Sequence, residues 1–207
     1  MSHSKEKLYE VCVAIDSNMQ IAIECEQLFV AMKNNKEFGS NIDNHPSRVA
    51  IETILFALQN ELIMSLSRMI EAGGGNRNNI LALLKYLHNK DIQEYIRGFV
   101  DGDKLIDELF PYVRSRFYSI TKQEKYSKAI RLHRDVNIAH SLDLKKDVLL
   151  DFETLCSLMR ELLPVVEDLI IITGWKKTKY KVSKKEYEAS CESFISALVA
   201  GMKDECK

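Results

Sequence analysis

Apolar residues recur at helical spacing along most of the chain. Leu8, Val11, Cys12, Ile15, Met19, Ala22, Phe29 and Met32 form one stripe and predict a helix over about residues 5–34. A polar loop follows, and Pro46 suits the first turn of a new helix. There Ile51, Ile54, Leu55, Leu58, Leu62, Leu66 and Met69 make a second stripe, which the run of Gly and Asn over residues 73–79 stops. Shorter helices are expected over about 80–87, 92–100 and 104–118, with Pro111 placed to break or kink the last. Thr121 and Glu124 have capping-box spacing and predict a further helix, with Ala129, Leu132, Val136 and Ala139 on its apolar side. Asp151 is the expected cap of another long helix, through Leu155, Leu158, Met159, Leu162, Val166 and Leu169 to Gly174 and Trp175, kinked at Pro164. Ser183 and Glu186 repeat the capping-box spacing ahead of a last helix to about Met202.

No stretch alternates as a strand does. The prediction is an all-α fold, an antiparallel bundle of about four long helices with short additional ones. Residues 1–175 are expected to form the helical domain, and 176–207 a basic linker and C-terminal helix packed on it or extending it. Eight Gly and three Pro in 207 residues agree with long helices, and 46% hydrophobic residues suffice for a core.

The net charge of −1 means that any contact with nucleic acid must come from a local basic patch. Five cysteines, none in a CxxC pair, argue for a reducing cytoplasm and against a zinc site or disulfide scaffold. No metal and no cofactor is expected. The N-terminus has no apolar signal core. The apolar tract 162–172 is broken by Glu167 and Asp168, so no membrane association is expected.

One segment points to chemistry: residues 131–143, Arg-Leu-His-Arg-Asp-Val-Asn-Ile-Ala-His-Ser-Leu-Asp. On a continuing helix Arg134, Asn137 and His140 form a ladder at i, i+3 and i+6, with Arg131 and Lys128 extending it upward. Arginine offers a planar fork to phosphate oxygens, and histidine exchanges a proton near neutral pH. A solvated helix face would carry the same residues. His133 stands about 10.5 Å from His140 along such a helix, too far to share one phosphate. The basic runs Lys122-Lys125-Lys128-Arg131 and 176–185 can track an RNA backbone or be solvated faces. Tyr118, Tyr126, Tyr180 and Tyr187 can stack bases or simply pack.

Arg134, Asp135 and His140, with five residues between the arginine and the histidine, resemble the motif of the HEPN superfamily. The form Arg-Asp-Val-Asn-Ile-Ala-His-Ser is similar to the AbiU2-like branch. So are Leu62 to Ile70 and Asn79 to Leu84, which look like that branch's second helix and the one after it. The resemblance covers about Leu8 to Trp175. It implies a metal-independent endoribonuclease of toxin or phage-defence type, with sites where two protomers meet. Arg134 would stabilise charge on the phosphorane and His140 would be the acid/base, with Asn137, Arg131 and Lys128 binding substrate. The implied partners are RNA, a second copy of the chain and an antitoxin protein. The alternative is a non-catalytic HEPN dimer that binds a partner such as a nucleotidyltransferase-like antitoxin.

Overall fold

The computed structural model describes residues 2–36, 38, 45–71, 78–133, 152–175 and 180–205. Every regular element among them is helical. They are α1 (Ser2–Asn34), α2 (Arg48–Ile70), α3 (Ile80–Leu87), α4 (Lys90–Arg97), α5 (Phe110–Thr121), α6 (Glu124–His133), α7 (Phe152–Thr173) and α8 (Tyr180–Glu205). A short turn, Gly102–Lys104, and a π-helical stretch, Leu105–Leu109, lead into α5. The all-α prediction is correct.

The helix starts follow side-chain chemistry. Asn79 caps α3: its Oδ1 accepts from the Ala82 N–H at 2.8 Å, and its amide donates to the Glu71 carbonyl at 2.7 Å. One side chain thus ties the residue after α2 to the first turn of α3. Asn89 caps α4 by accepting from the Asp91 N–H at 2.9 Å. Gly174 ends α7 with φ +67, where an L side chain is strained. A Cβ there would also fall 2.7 Å from the Phe99 ring.

Three expectations of local structure change. Pro111 does not divide a helix. The Phe110 N–H reaches back five residues to the Leu105 carbonyl, which is the π register. Pro111 is next in line and has no N–H, so that register stops and α5 proceeds as an α-helix. Thr121 is the last residue of α5 and not a cap for α6: its hydroxyl donates to the Phe117 carbonyl at 3.1 Å. Ser183 likewise lies inside α8, which already starts at Tyr180. Both capping boxes had the right spacing, but a hydroxyl can also bond back to the preceding turn. α7 runs as one helix through Pro164, and Asp151 lies outside the described residues.

The described residues fall into two compact units. One draws on Met1–Met19 and Ile63–Thr178, the other on Gln20–Leu62 and Lys179–Lys207. In the first unit α7 is the central wall. Half of its 22 residues are buried, among them Leu155, Leu158, Leu162, Val165, Val166 and Leu169. α5 and α6 pack against it through Phe110, Val113, Phe117, Ile120, Tyr126 and Ile130. In the second unit Met32 and Phe38 pack with Ile51 of α2 and with Ile195 and Val199 of α8. Cys12, Cys25, Cys156 and Cys191 are buried free thiols. One helix among the described residues, α2, is long and apolar enough to cross a membrane by length and composition, a test that the core helices of water-soluble proteins also pass.

Candidate functional site

The segment singled out by sequence is reached through α6, so what fixes α6 fixes where that segment begins. α5 hands over to α6 in a tight turn. The Lys122 N–H donates to the Tyr118 carbonyl and the Gln123 N–H to the Ile120 carbonyl, both at 3.1 Å. The Gln123 carbonyl then accepts the Tyr126 N–H at 3.1 Å and opens the new helix.

α6 is held to α7 by a polar lock set in an apolar seam. Tyr126 is 1% exposed, and its hydroxyl donates to Glu161 Oε1 at 2.5 Å, with Ser157 Oγ 3.2 Å away. The Gln123 amide donates to the other Glu161 oxygen at 3.2 Å. Both oxygens of one carboxylate are therefore engaged, one by Tyr126 of α6 and one by Gln123 just before it, the charge-assisted arrangement that is costly to break when buried. Ile130, one turn beyond Tyr126, adds an apolar contact point and is also 1% exposed. The Lys125 ammonium stands 4.3 Å from the Tyr126 ring centroid. Its hydrogen bond to Tyr126 pushes its pKa up, so it holds its proton more firmly.

With Tyr126 and Ile130 turned inward, Lys125 and Lys128 are left exposed. Arg131 lies on the last turn of α6, one helical turn after Lys128, and its side chain is outside the described residues, as is that of His133. Arg134, Asp135, Asn137, His140 and Ser141 also lie outside them. The structure thus brings Lys125, Lys128 and Arg131 together on one continuous helix that points the chain into the Arg-His segment. Of the tyrosines weighed for stacking, Tyr126 is spent in the lock, Tyr118 is 38% exposed, Tyr187 is half-buried, and the Tyr180 side chain is outside the described residues.

Sequence reasoning missed Glu161, Ser157 and Gln123. The signal was present: Ser157 and Glu161 interrupt the α7 core positions Leu155, Leu158 and Leu162, and a polar residue beside a core stripe needs a partner. No group of three or more His, Cys, Asp or Glu side chains among the described residues could hold a metal ion. A cavity of about 520 Å³ lies in the second unit, lined by Gln27, Asn34, Asn35, Glu188, Glu192 and Ile195 with their neighbours. Its two carboxylates make it a poor place for a polyanion.

Among known proteins, the family model described as AbiU2, a HEPN type, matches residues 5–194. The match starts within α1 and runs past Trp175 far into α8, further than the sequence likeness alone reached. No curated protein matches the chain, and no solved structure does. A match over residues 5–194 of 207 takes in nearly the whole sequence, so the chain belongs to the AbiU2 family of HEPN domains.

Proposed function

We propose that this protein is a metal-independent endoribonuclease, acting as a toxin or an abortive-infection effector in phage defence. The observation that carries the proposal is the Arg134-to-His140 motif within a chain of the HEPN type. RNA brings its own nucleophile, the 2′-hydroxyl. Cleavage needs a group to take that proton, a group to protonate the leaving 5′-oxygen and a cation for the charge that builds on the phosphorane. His140 serves as acid/base and Arg134 stabilises the phosphorane. Asn137 hydrogen-bonds the phosphate, and Arg131 and Lys128 hold the neighbouring backbone.

One histidine supplies one proton-transfer group. Two copies around a twofold axis would place two His140 and two Arg134 in one cleft, which is why the working form is a homodimer. Val49, 72% exposed, and Ile54, 41% exposed, give α2 an apolar surface such an assembly could cover. The same surface also favours a second reading, a non-catalytic dimer that docks an antitoxin protein.

The test is digestion of pooled cellular RNA, tRNA included, by purified protein in excess EDTA, beside His140→Ala. Cleavage that persists in EDTA and is lost in the variant supports the nuclease. Cleavage unchanged by His140→Ala removes it. A purified dimer that cleaves nothing and elutes from cells with a stoichiometric partner protein selects the second reading.

A further inference from the structure

Three arginines elsewhere on the described surface stand beside carboxylates. Arg97 meets Asp103 and Asp107, each at 2.5 Å, Arg48 meets Glu52 at 2.8 Å, and Arg160 meets Glu153 at 3.0 Å. α5 and α6 differ. From Phe110 to His133 the sequence holds six Lys and Arg and a single carboxylate, Glu124. Arg114, Lys122 and Lys128 are all exposed, and none of the three is in an ion pair among the described residues. On a chain whose net charge is −1, this is a local field that the fold leaves uncompensated.

Packing does not account for it. The two helices bury Phe110, Val113, Phe117, Ile120, Tyr126 and Ile130, and the cations lie outside that set. Two rings are open beside them: Tyr112 is 57% exposed and Tyr118 38%. The Arg114 guanidinium carbon stands 5.9 Å from the Tyr118 ring centroid, so cation and ring form one patch. Unpaired cations track phosphates, and an open ring takes a base that has left its stack. The combination fits a single strand and not a duplex, whose bases are already stacked.

We propose that the outer face of α5 and α6 binds single-stranded RNA, with phosphates on Arg114, Lys122, Lys125 and Lys128 and an unpaired base on Tyr118. This rests on the nuclease reading, because α6 runs in sequence straight into Arg134 and His140. A strand laid along its ten residues, about 15 Å, is delivered to the motif. The face is a binding surface, and the chemistry belongs to the motif.

The experiment uses a 2′-O-methylated single-stranded oligonucleotide, which binds but cannot be cut by its own 2′-oxygen. Affinity is read by fluorescence anisotropy in EDTA over a range of salt. The proteins are the full chain, His140→Ala, the triple variant Arg114→Gln, Lys122→Gln, Lys128→Gln, and Tyr118→Leu. His140→Ala is read beside them to separate loss of the motif from loss of the face. The triple variant is expected to bind at least about tenfold more weakly, with a salt slope smaller by about 2 for three lost phosphate contacts. Tyr118→Leu is expected to lose about tenfold with its salt slope unchanged, since stacking releases no counterions. Unchanged affinity and slope in the triple variant overturn the proposal. So does a parent protein that ignores the oligonucleotide, whether or not it binds vesicles rich in phosphatidylserine. Binding that falls as expected while intact RNA is never cleaved keeps the surface and removes the nuclease, so the two failures are separable.

Discussion

α7 and α2 are the two long apolar helices whose fates differ most. α7 places Leu155, Leu158, Met159, Leu162, Val165, Val166 and Leu169 at steps of three and four, which is one stripe, and all of them are buried. α2 carries Val49, Ala50 and Ile51, then Ile54 to Leu58 without a polar break, more apolar residues than one face can hold. Only 33% of its most apolar stretch is buried, and Val49 and Ile54 stand open. Apolar content sets how much a helix can bury, and arrangement sets how much its own fold covers. The remainder stays exposed on the described surface.

The largest expected effect tests the α7 half of this contrast. Leu162 is fully buried at the middle of the wall. Leu162→Ala removes packed atoms and leaves a void, so chemical denaturation should show a loss of about 2–5 kcal/mol. A loss under about 1 kcal/mol would mean the seam collapses freely and α7 is not the tightly packed wall of the first unit.

A smaller effect tests whether the far end of α7 is dry. The Cys12 thiol lies 3.5 Å from the Thr173 hydroxyl, and burial pushes its pKa from 9.0 up to about 11. A raised pKa means the folded state keeps a proton that the unfolded chain gives up. The stability that goes with it is complete below pH 9 and is lost as pH rises through 11. Cys12→Ala lacks this contribution, while that of the buried Cys25 thiol is common to both proteins. The stability gap between parent and variant, measured by urea titration at pH 8 and pH 11, should therefore narrow by up to about 2–3 kcal/mol. A constant gap would place water in that seam.

How much of this was legible in the sequence follows from the same contrast. Stripes at helical spacing gave α1, α2, α3 and α7 closely, because burying an apolar face dominates the energetics of a long helix. Helix starts were harder. Thr121 and Ser183 had the right residue type and spacing, yet such hydroxyls are not bound to cap, and Thr121 bonds back to the preceding turn. The lock on α6 was harder still. Tyr126 and Glu161 lie 35 residues apart, and pairing them requires knowing that α6 crosses α7. The Arg134-His140 motif stood out only through its resemblance to the HEPN superfamily, since a solvated helix face would carry the same residues at the same spacing. Its geometry belongs to residues outside those described, so the structure positions the approach to it and not the motif itself.

The smallest expected effect on stability bears on the α2 half of the contrast. Val49→Lys with Ile54→Lys puts two charges on a surface that the fold itself leaves open. Lysine is also a good helix former, so α2 should persist. Extrapolated to low protein concentration, unfolding free energy should change by no more than about 0.5 kcal/mol. Sedimentation equilibrium reads the other side. If α2 is covered by a second copy, the parent associates and the double variant does not, and the parent's melting temperature rises with protein concentration while the variant's stays fixed. A loss of more than about 1 kcal/mol at concentrations where the parent is already monomeric would put Val49 and Ile54 inside the core. In that case α2 would be a second α7 and the contrast between them would fall. An unchanged oligomer in a stable double variant would keep the contrast and move the surface from self-association to a different protein.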